Sequence, residues 1–106
     1  MKKDSILAAF FSAIEKDQRL GISHIGLYVT LIWLWEKQGC NGPVIAFGRE
    51  VMELSRIGST ATYQKLIRQL VQYGYIQYKP SLYKGRGSRI FLRSSPNKGI
   101  NAEELI

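Results

Sequence analysis

Cysteine, histidine and aspartate are almost missing from these 106 residues: Cys40 and His24 are single, and Asp4 and Asp17 are the only aspartates. One cysteine excludes an intrachain disulfide and a multi-cysteine zinc site, and fits a reducing, cytoplasmic setting. The lone histidine lies in the first turn of an apolar helix, where a structural role is the expected one. Glu50 and Glu53 stand three apart, but neither histidine nor cysteine joins them to make a metal site. Asp4 and Asp17 sit near the two ends of the first helical pattern, far from any candidate base. No nucleophile–base arrangement can be read, so the sequence predicts no enzyme, no cofactor and no metal, and no small-molecule ligand is evident. Apolar runs stop short of the roughly 18 residues that a membrane span requires. The start, MKKDSILAAFFSAI, superficially resembles an export signal. With Asp4 inside it and Glu15, Lys16 and Asp17 directly behind, it reads instead as an amphipathic helix.

Acid is missing in one place above all. Residues 75–93 hold five basic side chains and no carboxylate, a charge of +5 within a total of +7. By contrast, residues 1–47 hold five bases and four acids, 48–74 four and two, and 94–106 one and two. A charge spread for solubility would not concentrate in this way. A polyanionic partner is the natural inference. With 45% hydrophobic and 11% aromatic residues, the chain is of a folding composition and of a length for one domain.

The first helix is expected from about Asp4 to Asp17, capped by Asp4 or Ser5, with Ile6, Leu7, Phe10, Phe11 and Ile14 as its apolar stripe. Ser23 is then expected to cap a second helix that ends at Gly39. This helix is apolar nearly all round, with Ile25, Tyr28, Ile32 and Trp35 on one stripe and Leu27, Val29, Leu31, Trp33 and Leu34 on the others. It is either a central core helix or, with the first helix, a homodimer interface, and the latter is the expectation adopted for residues 1–20 and the helix that follows. Cys40–Pro43 is turn chemistry. Val44–Phe47 can form a short strand that joins a hairpin further on.

Gly48–Ser55 reads as a helix with Val51, Met52 and Leu54 inward. Ile57 plugs the following turn, and Gly58 permits its sharp backbone. The next helix carries the clearest signals in the chain. Ser59 or Thr60 can cap it, Gly74 can close it, and Tyr63, Leu66, Ile67, Leu70 and Val71 make its buried stripe. Ala61, Lys65, Arg68 and Gln72 fall on the opposite face, flanked by Thr62 and Gln64. That face holds no acid. An ordinary solvated helix face would look similar on its own. Two strands follow, however, Tyr75–Lys79 and Ser88–Leu92, joined by the glycine-bearing loop Pro80–Gly87. Lys79, Lys84, Arg86, Arg89 and Arg93 decorate this hairpin. Tyr73 and Tyr75 read as core or rim, and Tyr83 as a wing contact.

Helix, short turn, helix with a Ser/Thr-rich start, then Leu70–Ile76 running into a basic, glycine-rich hairpin, is similar to winged helix–turn–helix DNA-binding domains. The likeness runs from Ile22 to about Arg93, some two-thirds of the chain. It implies an α+β, mostly helical fold, with about four helices and a two- to three-stranded β wing, in one domain over 1–93, and a tail over 94–106. It also implies sequence-specific binding of double-stranded DNA, as a small transcriptional regulator or as a module of a replication or mobile-element complex. A protein-interaction winged helix is the other class left open. The recognition helix would be Ser59–Tyr73, with Ser59, Thr60 and Thr62 on phosphates and Gln64, Lys65 and Arg68 at base edges or the groove rim. The wing would span Tyr78–Arg89, with Lys79, Lys84, Arg86 and Arg89 on the flanking backbone or in the minor groove.

Overall fold

The computed structural model describes residues 3–81 and 85–93, the side chains of residues 3–5 excepted. Lys84, Tyr83 and the tail 94–106, with the turn expected at 101–104, lie outside the described residues. The chain runs α1 (Lys3–Ile14), α2 (Ile22–Lys37), β1 (Val44–Ala46), α3 (Gly48–Ser55), α4 (Thr60–Gln72), β2 (Ile76–Lys79) and β3 (Ser88–Leu92). The fold is α+β and mostly helical, four helices with a three-stranded antiparallel sheet ordered β1-β3-β2. This layout is compatible with a winged helix.

α1 starts at Lys3 and ends at Ile14, three residues short of the expected Asp17. The amides of Lys16 and Asp17 reach back only three residues, to the carbonyls of Ala13 and Ile14, both at 3.1 Å. Asp17 is diverted from the helix because its carboxylate has two partners elsewhere. It accepts from Arg19 Nε and a terminal guanidinium nitrogen, each at 2.7 Å, and from the Tyr75 hydroxyl at 2.8 Å.

The cap of α2 also differs from expectation. Gly21, not Ser23, holds the N-cap position, and its N–H donates to His24 Nδ1 at 3.0 Å. That acceptor assigns the ring proton to Nε2, which lies 2.7 Å from Gln69 Oε1 on α4. The one histidine is therefore a structural bridge between α2 and α4. After α2, Gln38 organises the turn into β1. Its side-chain amide donates to the carbonyls of Asn41 and Pro43 and accepts from the Ile45 amide. Trp35 adds a bond from its indole N–H to the Gly42 carbonyl at 3.0 Å.

Core packing explains where each helix turns. Leu27, Tyr28, Leu31, Ile32, Leu34 and Trp35 are buried, which makes α2 the central core helix. From α1, Ile6 and Phe10 enter the same core. Phe10 stacks on Tyr28 with centroids 4.0 Å apart and meets Tyr75 edge-on at 5.6 Å. Most of α1's apolar stripe is thus used inside the chain, although Phe11 leaves it for solvent. Two further expected core residues, Leu54 and Val71, are also exposed. The apolar face of each helix is narrower than its sequence stripe, because α3 and α4 are covered on one side only.

Candidate nucleic-acid interface

α3 and α4 are joined by residues 56–59. Arg56 takes the left-handed conformation at φ 62°, and the following amide, that of Ile57, returns to the Met52 carbonyl at 2.9 Å. The sharp backbone thus falls on Arg56 and not on Gly58, whose φ stays outside the left-handed region. Ile57 is buried and anchors the turn, as its apolar character predicts. Ser59 is the cap of α4, and its Oγ accepts from the Thr62 amide at 3.3 Å. At the other end Gly74, at φ 89°, closes the helix.

Between these ends Tyr63, Leu66, Ile67 and Leu70 are buried. Tyr63 lies so close to α3 that a Cβ on Gly48 would stand 3.1 Å from its ring. Burial pushes its phenol up to about 12, with Tyr78 adding to the shift. The solvent face is the one expected: Ala61, Thr62, Gln64, Lys65, Arg68 and Gln72 are all exposed, as are Ser59 and Thr60 before them. Because the Thr62 N–H is taken by Ser59, fewer free amides remain at this helix start for an anion than its position alone implies. A concavity of about 410 Å³ runs beside the helix, lined by Gln64, Arg68, Val71 and Gln72 with Tyr78 of β2.

The register of the sheet sorts the residues of the basic hairpin between its two faces. Val44 pairs with Ile90 and Tyr78 with Ile90, whereas Ile45 pairs with Arg89 and Lys79 with Arg89. Side chains alternate between the two faces of a strand. Val44, Ile90 and Tyr78 therefore share the inner face, and Ile45, Arg89 and Lys79 form a row on the outer one. The inner row is buried or half-buried, and the outer row is exposed. A second concavity, of about 650 Å³, gathers Lys79, Arg86 and Arg89 around Pro43, Ile45 and Pro80. Among the described residues, it shares no lining residue with the concavity beside α4. The candidate residues thus fall into two sets. Ser59, Thr60, Thr62, Gln64, Lys65 and Arg68 come together on α4, while Lys79, Arg86 and Arg89 come together across the sheet. The hairpin register sets Lys79 opposite Arg89, whereas Ile45 joins them from a strand more than forty residues before β3, which no local signal reveals.

Among the described residues no group of three potential metal ligands occurs, and no helix is long and apolar enough to cross a membrane. Comparison with protein-family models, with curated proteins and with solved structures finds no match.

Proposed function

We propose that the protein binds double-stranded DNA sequence-specifically, as a small cytoplasmic transcriptional regulator. The observation that carries this reading is the two-sided character of α4. Its inner stripe is locked into the core, and its outer face offers Gln64, Lys65, Arg68 and Gln72 without an acid. At 13 residues the helix is about 20 Å long, a size the major groove accepts. Gln64 and Arg68 have the donor and acceptor sets that read adenine and guanine edges, and Lys65 suits the rim phosphates. Ser59, Thr60 and Thr62 present hydroxyls at the helix start.

Binding-site selection from a random duplex library tests this reading. Wild-type protein is expected to enrich one motif. Gln64→Ala and Arg68→Ala are each expected to relax preference at particular positions, by about 1–3 kcal/mol per base pair. A uniform loss of affinity with preference intact in both variants would remove α4 from base readout.

Self-association is part of the proposal, on narrower ground than both N-terminal helices together. α2 exposes Ile22, Val29 and Trp33 at 82%, 39% and 51%, with Gly26 between them and open space above its Cα. Their spacing of seven and four puts them on one stripe. An antiparallel crossing of two such helices, centred between Gly26 and Val29, sets Ile22 of one against Trp33 of the other and Val29 over the opposing Gly26. A two-fold interface requires this kind of self-complementarity. The stripe presents only these three apolar side chains, so the dimer is a weak one.

A further inference from the structure

The outer face of the sheet presents a problem in electrostatics that the reading of α4 leaves unanswered. Arg89 and Lys79 are directly opposed across β2 and β3. Like charges directly opposed in this way destabilise a strand pair. Neither has a carboxylate partner among the described residues, and residues 75–93 contain no acid to supply one. Arg86 lines the same concavity, so three cations converge on one surface.

Apolar side chains share the concavity with these cations and with Ser81. Pro43, Ile45 and Pro80 line the concavity, and Ile45 extends the Arg89–Lys79 row to the far edge of the sheet. On the same face, one step along β3, stands Phe91, whose ring centroid lies 5.6 Å from Lys79 Nζ. A ligand that satisfies this face carries repeated negative charge, to hold the cations together, and flat apolar parts, to cover Ile45 and Phe91. A nucleic-acid strand has both, in its phosphates and in its sugars and bases.

Side-chain alternation points Lys79 and Arg89 away from the face that carries Tyr78, and Tyr78 is the sheet residue that lines the concavity beside α4. One ligand segment lying along α4 therefore does not fill the outer concavity. We infer that the outer face of the sheet, through Lys79, Arg86 and Arg89, is a second nucleic-acid surface that holds the phosphodiester backbone of a segment other than the one read by α4. The class of ligand rests on the DNA reading proposed above, and the separateness of the site rests on the register of the sheet. Such a protein would hold two segments at once, one by its bases and one by its backbone.

The test is a double dissociation. Protein is saturated with an unlabelled duplex carrying its selected motif. A fluorescent thymidine oligonucleotide or, in a parallel arm, a fluorescent random duplex is then added and followed by anisotropy. The expected result is salt-sensitive binding of the second oligonucleotide to the preformed complex, weakened by about tenfold or more in Lys79→Ser/Arg89→Ser. That variant should keep its affinity for the first duplex within about twofold, whereas Arg68→Ala should weaken the first duplex by about tenfold and retain the second oligonucleotide. The better-bound arm identifies a single strand or a duplex as the ligand. If Lys79→Ser/Arg89→Ser instead weakens the first duplex as strongly, and no second oligonucleotide binds, the cations belong to one footprint with α4. The separate site then falls while the DNA reading stands. Failure of wild-type protein to bind any of the probes overturns both.

Discussion

Tyr75, at the head of β2, donates its hydroxyl to the buried carboxylate of Asp17, 58 positions earlier, at 2.8 Å. The Arg19 guanidinium completes the group, pairing with Asp17 at 2.7 Å while lying 4.0 Å above the Tyr73 ring. The loop after α1 is thereby fastened to the junction of α4 and the sheet. Tyr75→Phe removes one donor from a buried carboxylate. It is expected to cost about 1–3 kcal/mol in urea denaturation at neutral pH. No change in stability would mean that Arg19 alone satisfies Asp17.

A pH dependence follows from the same contact. The hydrogen bond from Arg19 holds the Asp17 carboxyl well below the usual carboxylate range; burial opposes this and the Tyr75 hydroxyl assists it. A carboxyl depressed in the folded state stabilises the fold while the unfolded chain's aspartate is also ionised. That contribution is present above about pH 4 and is lost as the pH falls from there toward the folded-state value. Stability measured from neutral to acid pH should therefore fall more steeply in wild type than in Asp17→Asn. Parallel curves for the two proteins would contradict the assignment.

Gly87, at the entry to β3, is required by a close approach and not by its φ. A Cβ there would stand 2.9 Å from the Ala46 backbone. Gly87→Ala is expected to push β1 away from β3 and to cost about 1–3 kcal/mol, read as a lower Tm. An unchanged Tm would show that the two strands part without penalty.

The stripe on α2 predicts a mass that depends on concentration. Sedimentation equilibrium of wild-type protein should give a weight average rising above one chain at high concentration, and Trp33→Lys should abolish the rise. Wild-type protein that stays at the mass of one chain throughout would remove the dimer.

The legible parts of this fold were those set by neighbours in sequence. α4 could be bounded to within a residue, because Ser59, the Tyr63–Leu70 stripe and Gly74 all act within a few positions. The strand at Val44–Ala46 was also legible, as was its place as a third member of the hairpin sheet. What sequence could not supply were effects of distant partners. Asp17 looks like a helix residue until Tyr75 is placed beside it. Leu54 and Val71 look like core until the packing of α3 and α4 shows which side is covered. Arg56 carries the turn although a glycine stands two residues on, because the Ile57 side chain must enter the core. The candidate site divides in the same way. The exposed face of α4 follows from helical periodicity alone. That Lys79 and Arg89 share a surface with Ile45, and not with Arg68, depends on how β1 and β2 register on β3.

DNA binding itself is measured most directly by fluorescence anisotropy of a random-sequence duplex at about 50 mM and about 200 mM salt, where each phosphate contact contributes roughly 0.9 to the slope of log affinity against log salt. The expected result is micromolar binding at the lower salt that weakens on the order of tens of fold at the higher, for about three contacts. No binding at the lower salt, or binding indifferent to salt, would contradict it.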